Sequence, residues 1–198
     1  MLLYISMEEK ERTDKTDERK SAKSANVRKL VILAFFTSLS LVTFMIEALL
    51  PPLFIPCAKL GLANIFSLLA LILFGPIEAL AVFLVRALLG SFITGAVSSL
   101  VYSLVAGVVS LALSSLLVYL VMPRVSVVAI SVACACLHNV TQNLLFVLLN
   151  GATAMLTYMP YLALIGAVSG LFVGVVVHLL VIHLPERVLL GSIPRRNS

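Results

Sequence analysis

A chain of 198 residues that is 61% hydrophobic and 12% charged, with a mean hydropathy of +1.14, is too apolar for a soluble domain. Soluble domains run at roughly 45–50% apolar and about a quarter charged, so lipid has to be the solvent for most of this surface. The formal net charge of +5 does not point to nucleic acid, because the basic residues gather at the two ends and at Arg124 with no basic stripe interleaved with aromatics.

Residues 1–27 are polar and of mixed charge, and they hold Glu8, Glu9, Glu11, Asp14, Asp17 and Glu18, most of the acidic residues of the chain. They read as a flexible cytoplasmic tail, ending in a short interfacial helix, and not as a signal peptide, since no apolar core precedes the charges. Met7 is a second candidate start. From Leu30 the chain is a series of apolar runs separated by turn residues. The first covers 30–50 and stops at Pro51-Pro52. The second, about 60–74, is short and ends at Gly75-Pro76, a strong turn signal. The third covers about 77–94, the fourth 98–121 before Pro123, the fifth 126–149 before Asn150-Gly151, and the sixth 158–182 before Pro185. About 20 apolar residues span a bilayer. The runs therefore predict an all-α integral membrane domain over 28–184 with about six transmembrane helices, followed by a short basic tail over 185–198. The short second run leaves a five-span or re-entrant arrangement open.

Orientation follows from Lys and Arg near the helix ends. Lys20, Lys23, Arg28 and Lys29 precede the first run, Arg124 lies between the fourth and fifth, and Arg187, Arg195 and Arg196 follow the sixth. An even number of spans places all three groups on the cytoplasmic side and leaves Lys59 in an outer loop. The chain is expected to be a multi-pass membrane protein with both termini on the cytoplasmic side.

Polar residues inside the spans are expensive and mark sites. Arg86 sits mid-run among Phe83, Leu84, Val85, Ala87 and Leu88; facing lipid it would cost about 2.5–3.5 kcal/mol on insertion scales, so it should face the bundle. Glu47 and Asn64 lie towards the outer side. His138, Asn139 and Gln142 share one helical face. Tyr158, Pro160 and Tyr161 open the sixth run. A polar, partly aromatic pocket open to the outside explains these together. Helix-to-helix hydrogen bonds, worth about 0.6 kcal/mol each, are the competing explanation for Asn139 and Gln142, and Glu47 competes with any ligand for Arg86.

Other patterns point to structure. Cys134, Cys136 and His138 suggest metal ligands, but at about 100° per residue Cys136 points away from the other two. The three cysteines, with Cys57, read as free thiols. His178 and His183 have poor ligand spacing and read as interfacial. Gly166, Gly170 and Gly174 repeat every fourth residue, as do Ser99, Ser103 and Gly107; such seams let helix backbones approach closely, within the bundle or against a partner subunit. A phosphate-binding G-x-x-x-x-G-K-[ST] loop is missing, and no Asp follows Asp17. Neither ATP hydrolysis by that loop nor Mg²⁺-diphosphate chemistry on clustered aspartates is expected, and no cofactor or metal is expected.

Five segments together carry a family resemblance: Pro56-Cys-Ala-Lys-Leu-Gly-Leu-Ala-Asn64, Arg86-Ala-Leu-Leu-Gly-Ser91, Tyr102-Ser-Leu-Val-Ala-Gly107, His138-Asn-Val-Thr-Gln142 and Tyr158-Met-Pro-Tyr161 followed by Gly166 and Gly170. They resemble the bacterial Gx transporter family, also described as heptaprenyl diphosphate synthase component I, over about 28–182; Cys57 stands where a glycine is expected. That family in turn resembles the substrate-binding S components of energy-coupling factor (ECF) transporters. The resemblance implies a six-helix bundle that binds a small solute from outside, through Lys59, Asn64, Arg86, His138, Asn139, Gln142, Tyr158 and Tyr161. It also implies docking, through Ala34 and Ser38 on the first helix, onto ECF transmembrane and ATPase subunits. The alternative is a membrane accessory subunit of a polyprenyl diphosphate synthase whose catalytic subunit is separate, with no catalysis by this chain alone.

Overall fold

The computed structural model describes residues 2–49, 61–95, 97–122 and 124–183. Among these the regular structure is helical throughout: α1 Leu2–Leu49, α2 Asn64–Phe74, α3 Pro76–Ile93, α4 Leu100–Val121, α5 Val127–Asn150 and α6 Met159–His183. Short 3₁₀ turns, Val97–Ser99 and Thr153–Tyr158, lead into α4 and α6. The stretches Asn26–Leu49, Pro76–Ile93, Val97–Val121, Val127–Asn150 and Thr153–His183 are long and apolar enough to cross a membrane. Large side chains such as Leu30, Phe35, Leu148 and Leu164 stand exposed on the outside of the bundle, where lipid would cover them. The chain is an all-α multi-pass membrane protein. Helix α1 is continuous from Leu2, so the polar residues before Asn26 extend the first spanning helix.

The second apolar run departs from the others. Helix α2 has 11 residues, a length of about 16 Å, roughly half of a ~30 Å hydrocarbon core. Among the described residues the bundle thus has five full-length helices and one half-length helix, which is the outcome the short run left open. Its surroundings explain why it is stable at that length. Ile65 and the whole of Leu68–Leu73 are buried, as expected of a helix that is apolar on every side. Helices α1, α3, α4 and α6 pack around it. The turn that ends it is encoded locally. Gly75 adopts φ 112° and its N–H returns to the carbonyls of Ala70 and Leu71, a backbone that a side chain would strain. Pro76 then opens α3 at a position where its missing N–H is not needed.

One end of the bundle is marked by Lys29 of α1, which pairs with Glu78 in the first turn of α3. The Lys29 ammonium also lies 5.9 Å from the ring centroid of Phe74, at the end of α2. Phe36 continues this apolar floor, with Phe66 and Phe74 each 6.4 Å away between centroids. The opposite end of α1 carries Glu47, whose carboxylate accepts the N–H of Gly61 just ahead of α2.

Helices α5 and α6 form the most intimate pair. The seam read from the sequence lies between them. A Cβ added at Gly166, Gly170 or Gly174 would come within 2.9, 2.7 and 2.7 Å of Ala135 O, Val132 Cα and Val128 Cα respectively. Only residues without a side chain permit this approach. The fourth-residue glycines thus act inside the bundle, fixing the face that α5 turns towards the centre.

Candidate functional site

That face of α5 lines a central cavity to which every one of the six helices contributes. It offers about 80 Å³ to the centres of water-sized molecules. One water needs about 10–15 Å³ by that measure, so the cavity holds several waters or one small solute.

Arg86 of α3 is its only buried cation among the described residues, at 5% exposure. Its Nη2 donates to Asn64 Oδ1 at 3.1 Å, and Asn64 is the first residue of α2. Its Cζ lies 5.2 Å from the ring centroid of Phe83 and 5.9 Å from that of Phe44, so two aromatic faces hold the guanidinium. Its Nε–H is buried and finds no protein acceptor. Such a donor is costly to leave unmet in a dry site. The start of α2 adds to the positive potential here, with no acidic residue in its first turn. Glu47 supplies the opposite sign; it also lines the cavity and attracts Arg86 electrostatically.

The two rings beside Arg86 are seated on glycines. A Cβ at Gly107 would fall 1.9 Å from Phe83 Cζ, and one at Gly90 would fall 2.6 Å from Phe44 Cδ1. Gly107, read from the sequence as part of a packing seam, here receives a side chain that positions Arg86. Gly107→Ala is therefore expected to displace the Phe83 ring. It should cost about 1–3 kcal/mol of stability, as overpacking does, read as a lowered unfolding temperature in detergent. Phe83→Leu in the same chain should restore most of the loss.

Hydroxyls line the rest of the cavity: Ser67 of α2, Ser110 and Ser114 of α4, Ser131 of α5 and Ser169 of α6. Ser114 donates to Ser110 O at 3.0 Å and Ser169 to Gly166 O at 3.1 Å. Their protons serve the helix backbone and their oxygens remain as acceptors. Ser67 Oγ is buried with no partner. Cys134, a free thiol, lies on the same wall, whereas Cys136 points at Ala163 O, 3.3 Å away.

The structure brings Asn64, Arg86, His138 and Asn139 of the sequence-predicted set to one cavity. Asn139 is also glue, donating to Leu162 O of α6 at 3.2 Å. Gln142 is buried at 2% exposure but lies off the cavity wall, with its Oε1 unmet. Tyr158 and Tyr161 are exposed, at 43% and 60%, and do not line the cavity. Tyr158 ends the 3₁₀ turn before α6 and Tyr161 lies in the first turn of α6. Lys59 lies outside the described residues. Ala34 and Ser38 are exposed on α1, Ser38 bonding back to Ala34 O at 2.9 Å. The sequence reading took Ser103 only as part of a packing seam, and it passed over the other serines of the cavity and the role of Phe44 and Phe83. The recurrence of Ser103, Gly107, Ser110 and Ser114 on α4 was the available signal for one polar face. Asn143, also passed over, ties α5 to the turn before α6 through Met155 O at 3.1 Å.

No curated protein and no solved structure matches the chain significantly. A family model does: the one described as heptaprenyl diphosphate synthase component I matches residues 36–180. That range runs from α1 to α6, takes in each cavity-lining helix, and exceeds half of the chain, so this protein belongs to the heptaprenyl diphosphate synthase component I family.

Proposed function

We propose that this protein is a solute-binding membrane subunit that holds one small polar molecule in the central cavity, with Arg86 as its principal anchor. The observation that carries the reading is Arg86, a buried cation with an Nε–H that no protein group meets, in the wall of a cavity of solute size. Asn64, His138 and Asn139 complete the polar wall. The positive-inside pattern of Lys29, Arg124 and the basic C-terminal residues supports cytoplasmic termini. In that orientation Glu47 and the start of α2 lie on the outer half and the solute enters from outside. Transport would need partners that hydrolyse ATP, as in ECF-type assemblies, docking on the exposed face of α1 that carries Ala34 and Ser38.

The family description favours a second reading, an accessory subunit for a separate prenyl diphosphate synthase. A buried arginine and several hydroxyls in the cavity wall are what favour the solute-binding reading over it. In neither reading does this chain catalyse a reaction alone.

The test uses Cys134 as a reporter, in a chain whose Cys57 and Cys136 are replaced by Ser. Thiosulfonate reagents bearing a sulfonate or a trimethylammonium group compete for the thiol. Arg86→Gln should lower the ratio of anionic to cationic modification rates by about tenfold or more, equivalent to a ~1.4 kcal/mol change in local potential. An unchanged ratio would show that Arg86 does not govern the cavity and would remove the reading.

A further inference from the structure

We infer that the solute is a zwitterion, with its carboxylate on Arg86, its ammonium on Glu47 and a polar tail reaching towards the serines of α4, α5 and α6. The inference rests on the proposed solute-binding role and narrows its substrate class. It starts from charge balance. The cavity wall holds one buried cation, Arg86, bonded to Asn64 at the start of α2, and one carboxylate, Glu47, which accepts the N–H of Gly61 just ahead of it. Empty, the two offset one another in a region of low dielectric. A simple anion on Arg86 would leave the site with net negative charge, and a simple cation on Glu47 with net positive charge. Either excess is expensive away from water. A zwitterion keeps the sum at zero while satisfying both poles.

Geometry agrees with the charges. The unmet Arg86 Nε–H, with the Nη2 already on Asn64, leaves a donor edge suited to a carboxylate oxygen. The acid-free start of α2 adds positive potential there, while its Asn64 and Ile65 N–H groups already donate to Gly61 O and Leu62 O. The other end of the cavity is hydroxylic. Ser131 and His138 of α5 both line it, about 10 Å apart along the helix axis, and a four-carbon solute is short enough to lie within that length. Ser67 Oγ, buried and unmet, lies in the same wall and can meet a hydroxyl or amide of the tail.

Homoserine and its two truncations test the inference as matched probes. 4-Hydroxybutyrate lacks the ammonium and 3-aminopropanol lacks the carboxylate; all three keep the terminal hydroxyl. Each is assayed for protection of Cys134 from alkylation in the full-length chain in lipid nanodiscs, with Cys57 and Cys136 replaced by Ser. Homoserine is expected to protect at concentrations at least about tenfold below either truncation. Glu47→Gln should erase its advantage over 4-hydroxybutyrate while leaving 4-hydroxybutyrate protection in place. Equal protection by homoserine and 4-hydroxybutyrate in the unsubstituted site would overturn the inference in favour of an anion, and leave the solute-binding role standing. Equal or better protection by 3-aminopropanol, or protection by none of the three, would overturn it as well. The reagent-ratio experiment, read separately, decides whether the solute-binding role falls with it.

Discussion

Arg86→Gln is expected to yield a folded, inserted protein that has lost solute affinity by about 30-fold or more, the scale of truncating one partner of a buried charge-assisted contact. Glutamine can still reach towards Asn64 and lie between Phe44 and Phe83, so the packing around it is largely kept. What disappears is the charge and the Nε–H. The competing account makes Arg86 and Glu47 a structural ion pair. On that account Arg86→Gln leaves the half-buried Glu47 carboxylate without its partner and destabilises by about 1–3 kcal/mol, and adding Glu47→Gln recovers most of it. A double-mutant cycle on thermal unfolding and on solute retention separates the two. Binding lost in Arg86→Gln and not recovered in the double variant is the expected pattern. Stability lost and recovered, with solute retention at the unsubstituted level throughout, would make the pair structural.

Gly170→Val is expected to be among the most destabilising single changes in the membrane domain. Its added Cβ would sit 2.7 Å from Val132 Cα, 2.8 Å from Ser131 O and 2.9 Å from Ala135 Cβ. The first two are backbone atoms of α5 and cannot swing aside as a flexible side chain could. The helices must separate, at a cost of about 3 kcal/mol or more. Because Ser131, Cys134, His138 and Asn139 all ride on α5, the separation also opens the cavity. The unfolding temperature in detergent should fall, and modification of Cys134 should accelerate. Val168→Leu, at an exposed position two residues away, should change stability by less than about 0.5 kcal/mol. Similar behaviour of the two variants would show that the seam is not packed as described.

Much of the fold was legible because bilayer physics leaves few choices. Apolar runs of about 20 residues ending in Pro, Gly or Asn locate the long helices to within one or two residues, except at the start of α1, which runs back to Leu2. The weak point was α2. Nothing in a short apolar run tells whether it is a truncated span or a helix enclosed by others, since lipid and protein interiors select the same side chains. Its burial among four neighbours decides the matter. The burial of Arg86 in the cavity wall was legible because an arginine in an apolar run has so few tolerable environments, and the placement of His138 and Asn139 at the same cavity followed from helical period. Gln142 shares their face but stands nearly a turn further along α5, past the end of the cavity. The serines were not legible singly. A serine can bond its own helix, as Ser114 and Ser169 do, so its sequence context does not reveal whether it faces lipid, a neighbour or a cavity. Tyr158 and Tyr161 lie off the cavity, and aromatic residues at a helix end suit both a pocket rim and the membrane interface.

The most direct measurement is native mass spectrometry of the protein released from nanodiscs, with the unsubstituted chain and Arg86→Gln compared under the same conditions. The solute-binding account predicts one small-molecule adduct on the unsubstituted chain, lost in Arg86→Gln and retained in Val168→Leu. An unsubstituted chain without any small-molecule adduct, or an adduct equally abundant in Arg86→Gln, would contradict it.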